Sequence, residues 1–71
     1  MHILVFKTNI ETDDAHHHVR GVLDAHPHIH TWHIDREDVD KVLRIESPLN
    51  ISHDIINNIK QAGYHCEELP D

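Results

Sequence analysis

Apolar and polar residues recur with two different periods along the chain, and each change of period marks a new element. Residues 2–8 are apolar and rich in β-branched side chains, so they predict a strand, although either face could point inward. Thr12 then caps a segment whose apolar positions share one helical face, namely Ala15, Val19, Val22, Leu23 and His26. Pro27 ends this predicted first helix.

The rest of the chain continues with a hairpin, a second helix and a last strand. Period-two patterns predict strands over residues 28–35 and 41–46, joined by a short polar turn. Ser52 is expected to cap a helix with an isoleucine-rich stripe, and Gly63 stands where a glycine commonly ends a helix. A short strand is expected over residues 64–69.

The order β-α-β-β-α-β predicts an α+β protein with one ferredoxin-like domain over residues 1–71. In this fold a four-stranded antiparallel sheet carries both helices on one face and leaves the other face to solvent. Trp32 is expected to anchor the core, and Cys66 to fill a small buried position. The residues expected to point outward from the open face are Thr31, His33, Arg44 and Glu46.

The composition excludes several kinds of protein. The 71 residues carry a formal charge of −7 with neutral histidine, and they include ten histidines and a single cysteine. One cysteine makes neither an internal disulfide nor a cysteine-only metal site, and the acidic balance argues against binding to nucleic acid. The apolar runs are far shorter than the roughly 20 residues of a membrane span. We therefore expect a cytoplasmic protein with no nucleic-acid or membrane partner.

The ten histidines make the net charge depend on pH. Protonating all ten would change the formal charge from −7 to +3. Histidine ordinarily titrates near a pH of about 6.5, so most of this change falls in mildly acidic solution. The loss of negative charge would favour association in acid.

Several segments resemble the heavy-metal-associated domains of small copper chaperones, mercury-binding proteins and metal-transporting P-type ATPases. Residues 55–64 (IINNIKQAGY) are close to the family's second helix and its Ala-Gly-Tyr ending, and residues 19–23 resemble the later first helix. Residues 32–35 resemble the end of the second strand, and residues 6–10 the approach to the metal loop. The resemblance covers nearly the whole chain and implies the ferredoxin-like fold.

The family's metal site is a Cys-x-x-Cys loop, and the resemblance places its two cysteines on Thr12 and Ala15. Neither residue can replace a soft thiolate as a ligand for Cu(I). Tyr64 would lie near this loop, packed against Ile10 or hydrogen-bonded near Thr12. The ancestral loop positions are then Ile10, Thr12, Asp13, Asp14, Ala15 and Tyr64.

The resemblance therefore implies a degenerate, copper-chaperone-like binding protein that is not an enzyme. It would serve as a protein-interaction or metal-homeostasis accessory module, with a partner protein docked on the first-loop face. An acidic surface of this kind suits a basic partner. A hydrolase of the acylphosphatase type is not expected, because residues 8–15 contain no Arg, Lys or Gly.

The start of the first helix offers an alternative function. Residues three or four apart on a helix face each other, so Asp/His pairs can chelate borderline ions such as Zn²⁺, Ni²⁺ or Cu²⁺. The candidate ligands are Asp13, Asp14, His16, His17 and His18. Successive residues turn by about 100°, so one helix supplies only two or three ligands. The other interpretation is a solvated face with aspartate–histidine charge pairs.

A second candidate metal site is the pair His28 and His30. On a strand, His-x-His places both rings on one side, about 7 Å apart along the chain, which suits two ligands of one ion. The other interpretation is that both are exposed side chains near the hairpin.

Overall fold

The computed structural model describes residues 1–70 and shows the predicted order of elements. The elements are β1 (His2–Thr8), α1 (Asp13–Asp24), β2 (Thr31–Asp35), β3 (Val42–Ser47), α2 (Ser52–Gln61) and β4 (Cys66–Glu68). The strands form one antiparallel sheet in the order β2-β3-β1-β4. The ferredoxin-like α+β fold is therefore confirmed.

The core lies between the two helices and one face of the sheet, and it fixes the inward face of β1. Leu4 and Phe6 are buried, whereas Ile3 is 37% exposed. The other buried apolar residues are Ile10, Ala15, Val19, Leu23, Ile34, Leu43, Ile45, Ile51, Ile55, Ile59 and Cys66. The burial expected for Cys66 is confirmed, and Trp32 packs partly buried against this core.

Helix α1 begins as its sequence predicts. The Thr12 hydroxyl accepts a hydrogen bond from the Ala15 N–H at 3.0 Å. The next two residues, Asp13 and Asp14, are acidic and lie in the first turn of the helix. Such acids are favoured at the positive end of the helix dipole. The helix buries Ala15, Val19 and Leu23 and ends at Asp24, three residues before Pro27, with Ala25 as its C-cap.

Strand β2 begins at Thr31, three residues later than predicted. The reason is a side-chain turn that follows α1: Nδ1 of His26 accepts the backbone N–H of His28 at 3.1 Å. With Pro27 in this turn, the chain reaches the sheet only at His30, whose N–H donates to the Glu46 carbonyl. The predicted β2–β3 hairpin forms beyond that point.

The predicted capping role of Ser52 is wrong, because Ser52 is the first residue of α2 and Ile51 occupies the cap position. The Ser52 hydroxyl donates instead to Oε2 of Glu68 at 2.7 Å, which links α2 to β4. The Ser52 N–H donates to the side-chain oxygen of Asn50 at 3.2 Å, and the Ser52 hydroxyl lies 2.9 Å from the same oxygen.

The end of α2 matches the prediction for Gly63. This glycine has a φ of +97°, its N–H donates to the Lys60 carbonyl, and the Tyr64 N–H donates to the Ile59 carbonyl. These two bonds form a Schellman motif, which satisfies the last carbonyls of the helix. Because the motif occupies residues 63 and 64, β4 begins only at Cys66. Neither helix within residues 1–70 is long and apolar enough to cross a membrane.

Candidate binding surface at the first loop

The first loop and the β2–β3 turn lie together at one end of the molecule. The Thr8 N–H donates to the Asp40 carbonyl at 3.0 Å, and the Thr8 hydroxyl donates to the Lys41 carbonyl. Nη1 of Arg36 donates to Oδ1 of Asp13 at 2.7 Å, which joins the turn to the start of α1. We call residues 9–14 and 35–41 the loop end.

Three of the loop positions named from the resemblance, residues 10, 12 and 15, hold groups that support the fold. Ile10 is fully buried, and the Thr12 hydroxyl is engaged as the cap of α1. Ala15 is buried and contributes only a methyl group. On the other side of the loop, the Asn9 side-chain oxygen accepts the His65 N–H at 2.9 Å.

The loop end does not fit Cu(I). That ion prefers thiolate or thioether ligands, and residues 9–14 provide hydroxyl, amide and carboxylate oxygens instead. The one cysteine, Cys66, is buried and lies on β4. Burial raises the pKa of its thiol from 9.0 to about 11, so the side chain stays protonated at neutral pH.

Tyr64 forms its hydrogen bond with α1, so the expectation of a bond near Thr12 is wrong. Its hydroxyl lies 3.2 Å from Nδ1 of His18, and the two rings meet edge to face with centroids 5.6 Å apart. The ring of Tyr64 also packs against the core that contains Ile10. Tyr64 and His18 thus connect the end of α2 with the first turns of α1.

Three of the five candidate ligands at the start of α1, namely Asp13, His16 and His18, contact three different parts of the chain. Asp13 pairs with Arg36, because a guanidinium is a stronger partner for a carboxylate than a neighbouring imidazole. The ring of His16 packs against Trp32, at a centroid distance of 5.6 Å. Asp14 and His17 are exposed, and within residues 1–70 no group of three or more His, Cys, Asp or Glu side chains is placed to hold a metal ion.

The geometry assumed for His28 and His30 is also wrong, because both residues precede β2. The His28 backbone is held in the turn by His26, and the rings of these two residues are 5.9 Å apart. The His30 backbone leads into the pairing with β3. The alternation that would place both rings on one side therefore does not apply here.

The loop end is strongly acidic, a surface property that the order of residues alone does not reveal. The only cationic side chains in this surface are Arg36 and Lys41, whereas it contains more than half of the acidic residues in the chain. These are Glu11, Asp13, Asp14, Asp35, Glu37, Asp38 and Asp40. At the tip of the turn, Val39 is 89% exposed between two aspartates. The acidic run of residues 35–40 is visible in the sequence, but its contact with the first loop is not.

Comparisons with known proteins give matches in structure only. No protein-family model matches the sequence, and no curated protein sequence matches it. Three solved structures illustrate the likeness in fold. The N-terminal domain of PacS from Synechocystis PCC6803 has a TM-score of 0.81 at 10% identity, with 99% of this chain and 100% of that domain covered.

The other two belong to eukaryotic copper proteins. The copper(I)-loaded first domain of the human copper chaperone CCS has a TM-score of 0.77 at 15% identity, covering 93% of this chain and 89% of that one. The yeast copper transporter domain CCC2A, solved in apo and Cu(I)-loaded states, has a TM-score of 0.77 at 18% identity, covering 97% and 96%. With near-complete coverage on both sides, the chain has the ferredoxin-like fold of the heavy-metal-associated domains of copper-binding proteins.

Proposed function

We propose that this chain is a non-catalytic binding module of the heavy-metal-associated type, which has lost the Cu(I) site and retains a partner-docking loop end. Its role is that of a protein-interaction or metal-homeostasis accessory. The observation that carries this proposal is the content of the loop: a helix-capping threonine and a buried alanine stand where the resemblance puts the two cysteines.

The charge of the loop end supports a basic protein as the partner. Seven carboxylates against two cations produce a strongly negative potential over residues 9–14 and 35–41. Such a surface speeds the encounter with a lysine- or arginine-rich surface and disfavours acidic partners. The exposed side chain of Val39 adds a small apolar contact at the tip of the turn.

The loss of the Cu(I) site is tested by competition with a coloured Cu(I) chelator. We expect the chelator to keep all the Cu(I) when the wild-type protein is added. The double variant Thr12→Cys, Ala15→Cys should take one Cu(I) from the chelator, because it restores two thiolates to the loop. The matched control, Thr12→Ser with Ala15→Ser, changes the same positions without a thiol and should take none. Retention of Cu(I) by the wild-type protein would contradict the proposal.

The docking surface is tested with an oligolysine peptide as a probe, followed by amide shifts in NMR spectra. We expect the shifts to concentrate in residues 9–14 and 35–41. The exposed residues Glu11 and Glu37 can be neutralised together as Glu11→Gln, Glu37→Gln, which should weaken binding. Neutralising the exposed residues Asp54 and Glu67 removes the same charge elsewhere and should weaken it less. Equal effects of the two variants would show that net charge alone attracts the peptide.

The alternative function is a binder or buffer of Zn²⁺, Ni²⁺ or Cu²⁺ at the start of α1. The structure does not favour it, because Asp13, His16 and His18 each contact a residue from another part of the chain. A metal titration near neutral pH tests it directly. Stoichiometric binding that is lost in the triple variant His16→Ala, His17→Ala, His18→Ala would replace the docking proposal with this one.

A further inference from the structure

The two edges of the sheet are protected to different degrees. Edge strands of monomeric proteins are usually shortened or carry lysine, proline or a covering segment. Strand β4 fits this pattern, since it has three residues, two of them glutamates, and Pro70 follows closely. Strand β2 has five residues (TWHID) with neither lysine nor proline, and within residues 1–70 it pairs on one side only, with β3.

A cleft between α1 and β2 leaves the largest side chain of this edge partly uncovered. Trp32 is half-buried, and its indole N–H donates to Oδ1 of Asp24 at 2.9 Å. The cleft has a volume of about 370 Å³ and is lined by His16, Arg20, Asp24, Trp32, His33 and Ile34. The indole is therefore held in a fixed position beside the unpaired edge.

We propose that β2 pairs antiparallel with β2 of a second copy of this chain, with the two-fold axis at His33. The two four-stranded sheets then become one continuous sheet of eight strands. The occupant of the edge is a second copy rather than another extended peptide, because the sequence of β2 and its flanks is complementary to itself. Self-association through β2 does not depend on the docking function of the loop end, although Asp35 and residues 36–38 belong to both surfaces.

The register centred on His33 pairs compatible side chains in β2. Directly opposed residues of antiparallel strands point to the same face, so Trp32 of one copy meets Ile34 of the other on the helix side. Trp32 gains an apolar neighbour there, and the same contact occurs a second time by symmetry. On the open face, Thr31 lies opposite Asp35 and His33 lies opposite its own copy, so no two carboxylates are opposed.

The flanks of β2 are also complementary. Residues 28–30 precede the strand and contain two histidines, whereas residues 36–38 follow it and contain two acids. An antiparallel arrangement brings the first segment of one copy near the second segment of the other, where Arg36 accompanies the two acids; both segments lie outside β2, so the strand register does not pair their side chains one by one. An imidazole N–H can donate to a carboxylate, and such a contact offsets part of the repulsion between two chains of charge −7.

Analytical ultracentrifugation tests the proposal on the wild-type protein. We expect a concentration-dependent mass that rises from 8.3 kDa toward twice that value. Higher salt should favour the dimer, because it screens the net repulsion. A mass of 8.3 kDa at every concentration, up to those used for NMR, would overturn the proposal.

Charge substitutions at the two-fold axis identify the interface. His33 is exposed on the open face, so His33→Lys and His33→Asp should leave the fold intact. Each places like charges opposite each other and should weaken the dimer by about tenfold. An equimolar mixture of the two variants should dimerise again, because lysine then faces aspartate. The matched control His17→Lys makes the same change on an exposed position of α1 and should not alter the mass.

A cross-link gives an independent measurement. Opposed residues of antiparallel strands have Cα atoms about 4.5–5.5 Å apart, which suits a disulfide. We expect His33→Cys to form an interchain disulfide under mild oxidation, and the exposed control His17→Cys to form little. Cys66 does not interfere because it is buried. Equal cross-linking of the two variants would contradict pairing at His33.

Discussion

At the scale of single residues, the two glycines stand in opposite situations. Gly63 has a φ of +97°, a conformation that costs a side-chain-bearing residue roughly 1–2 kcal/mol. Gly21 lies inside α1, and a Cβ built on it has nothing within 4 Å. The first glycine is required by the backbone, and the second only weakens its helix.

We therefore expect opposite effects from the same substitution. Gly21→Ala should raise the free energy of unfolding by up to about 1 kcal/mol, since alanine is the better helix former. Gly63→Ala should lower it by about 1–2 kcal/mol because of the left-handed backbone. Urea denaturation of both variants measures the two changes in the free energy of unfolding. If both variants change stability in the same direction, the backbone conformation at position 63 does not require glycine.

The thiol of Cys66 gives a prediction for alkaline pH. Its pKa is about 11 in the folded protein against 9.0 when exposed, so the folded state disfavours the thiolate. Stability from this group is complete below pH 9 and is lost as the pH rises toward 11. The wild-type protein should lose up to about 2–3 kcal/mol more than Cys66→Ala over this window. Parallel loss in both proteins would assign the alkaline destabilisation to other groups.

At the scale of elements, the contact between Ser52 and Glu68 joins α2 to β4. Ser52 is 8% exposed, and its hydroxyl donates to the Glu68 carboxylate. We expect Ser52→Ala to lower the free energy of unfolding by about 1–2 kcal/mol, since a charged acceptor loses its buried donor. In a double-mutant cycle with Glu68→Ala, which removes the acceptor, the two losses should not add. Full additivity would mean that the bond contributes nothing to stability.

Elements built from local signals were predictable, and those set by distant contacts were not. The cap of α1 at Thr12 and the glycine ending of α2 depend on residues a few positions apart, so both followed from the sequence. The start of β2 was misplaced because the His26 side chain captures the backbone of His28. Ser52 has the right chemistry for a cap, but Glu68, sixteen residues away, takes its hydroxyl.

The candidate site divides in the same way. The absence of thiols from residues 9–14 is a property of the sequence itself. The separation of the candidate ligands Asp13, His16 and His18 is not, because Arg36, Trp32 and Tyr64 reach them from three other parts of the chain. The spacing of residues along a helix predicts which of them lie on the same face. The other side chains that compete to bind each of them come from the tertiary fold.

At the scale of the whole molecule, charge is distributed unevenly. The loop end concentrates seven carboxylates, of which Asp13 has an ion pair with Arg36 and Asp40 one with Lys7. Like charges at this density repel each other and oppose the compact state. The folded chain should therefore respond to ionic strength more than an average domain of its size.

We expect the thermal midpoint to rise as ionic strength increases from about 0.01 M to about 0.15 M, because screening shortens the range of this repulsion. Glu37→Gln should raise the midpoint at low salt and reduce the salt effect. Calorimetry on both proteins provides the measurement, with the exposed Asp54→Asn as a charge-matched control. An identical salt response in all three proteins would place the repulsion outside the loop end.

The position of the single indole makes the intrinsic tryptophan fluorescence a probe of one place in the structure. Trp32 is the only tryptophan, so all the emission excited at long ultraviolet wavelengths comes from one place. That place touches His16 of α1, is tethered to Asp24 and borders the free edge of β2. Emission should shift to shorter wavelength when a second copy covers the edge. Unlabelled protein can thus report its own assembly.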